Sequence, residues 1–340
     1  NEYGWKGTSE SNHDVKGLKQ LFSSKVSVFS MDSESAERRG FVPDHVVSFG
    51  YSDIAPEDIQ LLRETLDLTS IAADAAYSLE AHFGSGRWFN SFINLSSEAT
   101  NELASEINVN SSALAALRRR LERLTRFDFV SQDRVEDSAE MILQRLNAGQ
   151  HVVLEFGKHG NNPTAYMLVA NILTRRIYNR YQRQKELAMG DKLVEPPNLV
   201  ITIEEAHRFL SSSMAGQTIF GTIAREMRKY NVTLLVVDQR PSDIDEEVMS
   251  QIGTKVSCLL DSGRDIDSVL SGVSGNRKLR GVLARLESRQ QALIFGHSVP
   301  MPVVVRTRDY GSAQSYSDLG DVSVSNGDSK KALEDLFGPS

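Results

Sequence analysis

Leu199-Val-Ile-Thr-Ile-Glu-Glu-Ala-His-Arg208 is the stretch on which the reading of this chain turns. An apolar, β-branched run ends in two adjacent carboxylates, Glu204 and Glu205, followed by an Ala-His that opens a helix. Such a run reads as a buried strand of a parallel sheet. Ligands of open α/β sheets sit beyond the carboxyl ends of the strands, so both glutamates fall where a ligand would be held. Taken alone, the same residues also describe a strand that ends in solvated glutamates.

A second strand of the same kind follows. Val232-Thr-Leu-Leu-Val-Val-Asp-Gln-Arg-Pro241 carries another apolar run into Asp238, Gln239 and Arg240, expected at the same sheet edge. A neutral amide donates and accepts at once, so Gln239 suits a group that senses a phosphate and an attacking water. A turn or cap before Pro241 is the alternative. Between the two strands, Ile223-Ala-Arg-Glu-Met-Arg-Lys-Tyr230 closes a helix. Arg225 and Arg228 have the planar, permanently charged chemistry that spreads charge on a transferring phosphoryl group. They equally suit cations at a helix C-terminus.

Working outward, residues 50–145 read as a mostly helical subdomain. Pro56-Glu57-Asp58 suits a first helical turn, and further helices are expected at Ser112–Leu124 and Ser138–Asn147. Residues 1–49 read as the start of the core, with a helix near Asp14–Phe22, a strand at Val26–Phe29 and a polar connection over 31–45. From 146 to 310 strands and helices alternate: Val152–Phe156, a long helix Pro163–Leu187, the strand Leu199–Ile203, a helix Ser213–Tyr230, Val232–Val237, a helix Glu246–Ile252, and a strand Val256–Leu260. That alternation implies a parallel sheet with helical crossovers. Ala292–Phe295 and Val303–Arg306 read as a closing antiparallel pair. Residues 311–340 read as a disordered tail with an apolar cluster, Leu333, Leu336 and Phe337.

Composition narrows the class. The 340 residues are 40% apolar and 24% charged, ordinary for a globular protein. There is no apolar run of membrane-spanning length and no secretory signal, so a cytoplasmic setting away from membranes is expected. The single cysteine, Cys258, excludes an internal disulfide or a cysteine zinc site and is expected as a buried core thiol. The net charge of −7 argues against a wholly basic nucleic-acid coat but leaves room for a local basic surface. Two clusters qualify, Arg118/Arg119/Arg120/Arg123/Arg126 and Arg175/Arg176/Arg180/Arg183/Lys185, each readable as a solvated helix face or as a DNA contact. No Gly-x-x-x-x-Gly-Lys-Ser/Thr loop occurs; Phe83-Gly-Ser-Gly86 and Gly157-Lys-His-Gly160 lack that spacing.

In combination, Glu-Glu-Ala-His-Arg-Phe, Ile-Ala-Arg-Glu-x-Arg-Lys-Tyr and Asp-Gln-Arg-Pro-Ser resemble the HerA group of the HerA–FtsK superfamily of DNA-translocating ATPases. The ending supports this: Leu286–Gly296 and Val299–Arg306 are similar to that family's closing hairpin. The resemblance implies a RecA-like P-loop NTPase core, α/β with a mostly parallel sheet, carrying a helical insertion and lacking here the first βα unit and the N-terminal barrel. It implies ATP and Mg²⁺ as cofactors, Glu204 as the metal-side carboxylate and Glu205 as the water-activating base. Gln239 becomes a nucleotide-contacting sensor, and Arg225 or Arg228 a finger reaching the neighbouring subunit's site. Asn1-Glu2-Tyr3 looks like the end of the segment that follows the Walker A helix, which puts Glu2 at the nucleotide. The partners implied are a homo-hexameric ring, double-stranded DNA, and a NurA-like nuclease or a sirtuin-like defence subunit. A ring-forming scaffold for an effector, with ATP turnover secondary or absent, is the competing reading.

Overall fold

The structure, a computed structural model, describes residues 16–133, 136–190, 195–221, 223, 230–273, 276–308, 310 and 315–316. Glu2, Arg225, Arg228 and the tail residues Leu333, Leu336 and Phe337 lie outside them.

The chain opens with a short helix α1 (Leu18–Leu21) and the strand β1 (Val26–Ser30), buried at every position. The connection expected over 31–45 contains a helix, α2 (Ser33–Arg38). Its signal is a cap: the Asp32 carboxylate accepts from the Ser35 N–H at 3.1 Å, which satisfies one of the helix's unpaired donors. β2 (His45–Val46) pairs with β1 in parallel, and β3 (Phe49–Gly50) leads into the helices.

Five helices then follow: α3 (Pro56–Leu61), α4 (Ser70–Phe83), α5 (Trp88–Ile93), α6 (Ser97–Glu106) and α7 (Ser111–Leu124). Thr69, Ser96 and Asn110 cap three of them by accepting from a backbone N–H. On α7, Leu114, Leu117, Leu121 and Leu124 are wholly buried, the i, i+3, i+7, i+10 stripe of an amphipathic helix. These helices share one hydrophobic core with β1 and with the strands that follow.

After β4 (Val130–Ser131), parallel to β3, and α8 (Ser138–Asn147), the strand β5 (His151–Glu155) returns beside β1 in parallel. The helix α9 (Pro163–Ala188) is buried almost all round from Ala165 to Ile177, as befits a helix inside a large core. Next come β6 (Leu199–Glu204), a single-turn helix α10 (His207–Leu210) and β7 (Val232–Val237), parallel to β6 with Glu204 opposite Val237. The helix expected over Ser213–Tyr230 begins differently, with a 3₁₀ turn at Ala215–Gln217. Gln217 is drawn into the core there, its amide oxygen accepting from the Thr65 hydroxyl and N–H at 2.6 and 2.9 Å.

β6 and β7 are not buried on both faces. Exposure alternates along each, with Val200 at 56%, Leu235 at 49% and Val237 at 47%. The apolar run specified a strand, but among the described residues only one of its faces is covered.

The last elements are α11 (Glu246–Gln251), β8 (Thr254–Ser257), α12 (Gly263–Val269), α13 (Asn276–Leu283), β9 (Gln291–Gly296) and β10 (Val303–Arg306). β8, β9 and β10 form an antiparallel sheet, and the closing pair is as expected. A smaller core of Ile266, Leu270, Leu283, Leu293 and Phe295 holds this end. The expected strand Val256–Leu260 instead spans 254–257, because its pairing with β9 stops at Ser257. Cys258 follows that end and is exposed, not a core thiol. The chain as a whole is a mixed α/β fold of mostly parallel sheets with helical insertions, the architecture of a RecA-like P-loop NTPase core with a helical subdomain. Among the described residues no helix is long and apolar enough to cross a membrane.

Candidate active site

β6 and β7 end side by side, which brings the two polar strand ends together. Glu204 is the last residue of β6 and lies on its exposed face. Glu205 takes a left-handed backbone, φ +50°, a conformation that costs a side-chain-bearing residue roughly 1–2 kcal/mol. The turn it makes lets the Ala206 N–H reach the Val237 carbonyl at 3.3 Å. It also lets the His207 N–H donate to Asp238 Oδ2 at 2.7 Å. Strained backbone of this kind, over-determined by its surroundings, is characteristic of functional positions.

Asp238 is the fixed point of the site. Its side chain is only 4% exposed and lies 2.9 Å from His207 Nδ1. Its second oxygen accepts the Arg240 N–H at 2.6 Å. The carboxylate therefore clamps the start of α10 and the turn after β7 with three contacts. Sequence alone assigns no role to Asp238 or His207. The sequence signal is an aspartate closing an apolar strand, which requires partners if its carboxylate is buried.

Gln239 Nε2 donates to Glu205 Oε1 at 3.2 Å. The expected base and the expected sensor thus touch, across two strands and 34 residues of sequence. Glu205 is half-exposed, and His207 Nδ1 stands 3.8 Å from its other oxygen. The loop after β7 is braced from the smaller core, with the Ser242 N–H donating to Asp265 at 3.1 Å and the Ser268 hydroxyl to the Pro241 carbonyl at 2.8 Å.

A second loop reaches the same region. Arg208 donates to the Gly160 carbonyl and stacks over Tyr166, 4.7 Å from the ring centroid. This ties α10 to the turn at Gly157–Asn161 that follows β5. Gly157 has φ +52°, and a Cβ there would lie 2.5 Å from the Asp32 side chain. Only glycine lets the Lys158 N–H close on Asp32 Oδ2 at 2.9 Å. Burial works to raise the Asp32 pKa, but hydrogen bonds from the Lys158 and Ser35 N–H groups outweigh it and hold the carboxyl below its usual range.

Of the expected site residues, the fold brings together Glu204, Glu205 and Gln239; Arg225, Arg228 and Glu2 lie outside the described residues. The arginine clusters are sorted. Arg175 and Arg176 are not free for DNA: Arg175 grips the fully buried Asp58 through two bonds of 2.9 and 2.7 Å. Arg176 spans Asp53 and Asp137 at 3.0 and 2.5 Å. These pairs tie α9 to the start of α3 and to the cap of α8.

Among the described residues no three His, Cys, Asp or Glu side chains are grouped to hold a metal by themselves. Adjacent glutamates at a strand end fit Mg²⁺ nonetheless, since that ion commonly takes one or two carboxylates and completes its shell with water and phosphate oxygens.

The fold and this strand-end pair define the class, a RecA-like α/β core with a candidate nucleotide site. No family model matches the chain. Individual proteins do. It is 33% identical over 125 residues to the DNA double-strand break repair helicase HerA of Pyrococcus furiosus, covering 36% of this chain and 22% of that protein. It is 32% identical over 149 residues to the probable helicase MJECL08 of Methanocaldococcus jannaschii, covering 43% and 28%. The chain is thus homologous to HerA-type helicases over a stretch that spans under a third of those relatives' length. Among solved structures, VirB4 of Thermoanaerobacter pseudethanolicus shares its fold, with TM-score 0.52 and 14% identity over 88% of this chain and 86% of that one.

Proposed function

We propose that this chain is the catalytic core of an ATP-driven motor that handles DNA. The observation that carries the reading is the 3.2 Å contact between Gln239 and Glu205, at the carboxyl ends of two adjacent parallel strands. Homology to HerA-type helicases supports it. Glu205 takes the proton of the attacking water, and Gln239 orients both the water and the carboxylate. Glu204 stands on the metal side. Asp238 and His207 act as positioning residues that hold the two strand ends in register. Bound Mg²⁺–ATP would supply the phosphoanhydride and the charge neutralisation that its cleavage needs. Residues 50–145 act as a helical insertion between the segments 1–49 and 146–310, and residues 311–340 as a tail.

The finer assignment is a hexameric ring that translocates double-stranded DNA beside a nuclease or another effector. Arg225 or Arg228 would reach the neighbouring subunit's nucleotide, and Glu2 would contact its own. Glu205→Gln in the intact natural protein is expected to lower ATP turnover by about 10²–10⁴-fold, the usual loss on removing a general base. ATP binding and assembly should persist. Turnover at the wild-type rate would overturn the assignment, and a wild-type protein that assembles without turning over ATP would favour the scaffold.

A further inference from the structure

The arginine cluster on α7 separates into two sets that its sequence does not distinguish. Arg118 is committed to Glu122 at 3.2 Å and to the Thr100 hydroxyl, and Arg120 to Asp67 at 2.5 Å. Arg119 and Arg123, one helical turn apart, and Arg126 just past the helix end are exposed. None of these three has an ion-pair or hydrogen-bond partner among the described residues. Together with Arg120 and its partner Asp67 they line an open cleft of about 440 Å³.

Three features make this more than a solvated face. The guanidinium groups stand on a rigid platform, because the opposite side of α7 is anchored by four wholly buried leucines. The cleft's carboxylates, Asp67 and Glu122, are already taken by Arg120 and Arg118, so among the described residues the remaining positive charge is uncompensated, in a chain of net charge −7. And the spacing suits a polyanion: Arg119 and Arg123 stand about 6 Å apart at the helical rise, facing a backbone that carries one charge per roughly 3.4 Å of duplex axis on each strand. A membrane surface is disfavoured, since such faces pair basic residues with apolar side chains that insert, and no large exposed hydrophobic residue occurs between Ser112 and Arg126.

We infer that Arg119, Arg123 and Arg126 form a contact face for the phosphate backbone of nucleic acid. The inference rests on the DNA-handling reading above and adds the surface that does the holding. The contact is independent of sequence, because it addresses phosphates and not base edges.

The test measures binding of the natural protein to a fluorescein-labelled duplex of mixed sequence, by anisotropy, between about 50 and 200 mM salt. The triple variant Arg119→Gln/Arg123→Gln/Arg126→Gln should bind more weakly, with the slope of log affinity against log salt reduced by about 2 to 3, near 0.9 per lost phosphate contact. Its melting curve should match wild type. A control that removes the same charge elsewhere, Arg277→Gln/Lys278→Gln/Arg285→Gln, should keep the slope. Equal loss in both variants would reduce the effect to general charge and overturn the inference, as would a triple variant with wild-type affinity and slope. So would unchanged duplex binding in the triple variant with binding to phosphatidylserine vesicles, measured beside it, lost. A wild-type protein that binds no duplex would overturn the DNA-handling reading itself, an outcome distinct from wild-type binding that survives the substitutions.

Discussion

Replacing Arg175 by alanine should destabilise the protein by about 3–5 kcal/mol, the cost of leaving a buried charge without its partner. Asp58 is 0% exposed and accepts from Arg175 Nε and Nη2 and from the Ala55 N–H at 2.8 Å. Arg175 also donates to the Asp53 carbonyl at 3.0 Å. Two charges near 4 Å interact by about 4 kcal/mol at an effective dielectric of 20, which places the loss in the same range. Without the guanidinium, Asp58 keeps one N–H donor and no countercharge. The pair joins α9 to α3, so the damage falls where the helices meet the strands. Trp88 reports on that place, being wholly buried with its indole N–H on the Ile54 carbonyl at 3.0 Å. Urea unfolding followed by its fluorescence gives the loss. The double variant Asp58→Leu/Arg175→Met should recover most of it, because an apolar pair of similar volume avoids the desolvation of two ions. A loss under about 1 kcal/mol for Arg175→Ala, or a double variant as unstable as the sum of its parts, would refute the argument.

Gly157→Ala should destabilise by more than about 1 kcal/mol, since the new Cβ meets Asp32 at 2.5 Å in a left-handed backbone; chemical denaturation beside wild type measures it. Asp32 makes stability depend on pH: its folded pKa lies below the 3.8 of a free carboxyl, so its contribution is present above that value and is lost as pH falls through the folded one. Asp32→Asn should accordingly be less stable than wild type at neutral pH, with the gap narrowing in acid, as urea midpoints across pH would record. Cys258 is exposed, so a thiol reagent should label it stoichiometrically in the native protein, at a rate little changed by denaturant.

The strand ends were legible because their chemistry is local. An apolar, β-branched run ending in Glu204-Glu205 announces both a strand and where it stops, and the run ending in Asp238-Gln239 does the same. Parallel pairing follows from the crossover length between the two runs, and the closing hairpin from two short apolar runs flanking a turn with Pro300 and Pro302. The caps at Thr69, Ser96 and Asn110 write the helix starts into the chain. The helix at Ser33–Arg38 was missed because its six residues show no apolar stripe, only a capping aspartate. Cys258 was misjudged because the apolar run around it continues past the point where strand pairing ends.

The sequence by itself determined which residues are candidates for the chemistry, since carboxylates, an amide and arginines are recognisable as types wherever they fall. Only the tertiary structure decided what each is free to do. Five arginines on or beside α7 look alike in sequence, yet among the described residues Arg118 and Arg120 are occupied while Arg119, Arg123 and Arg126 are not. Arg175 is a candidate DNA contact by sequence and is instead a part-buried strut on the buried Asp58. Asp238 was one polar residue among three and is the clamp that sets Glu205 against Gln239. The reason is physical: a polar or charged group is available for a ligand only if no nearer partner has claimed it. Those nearer groups, Asp58 for Arg175 and His207 for Asp238, lie 117 and 31 residues away along the chain and come within reach only when it folds.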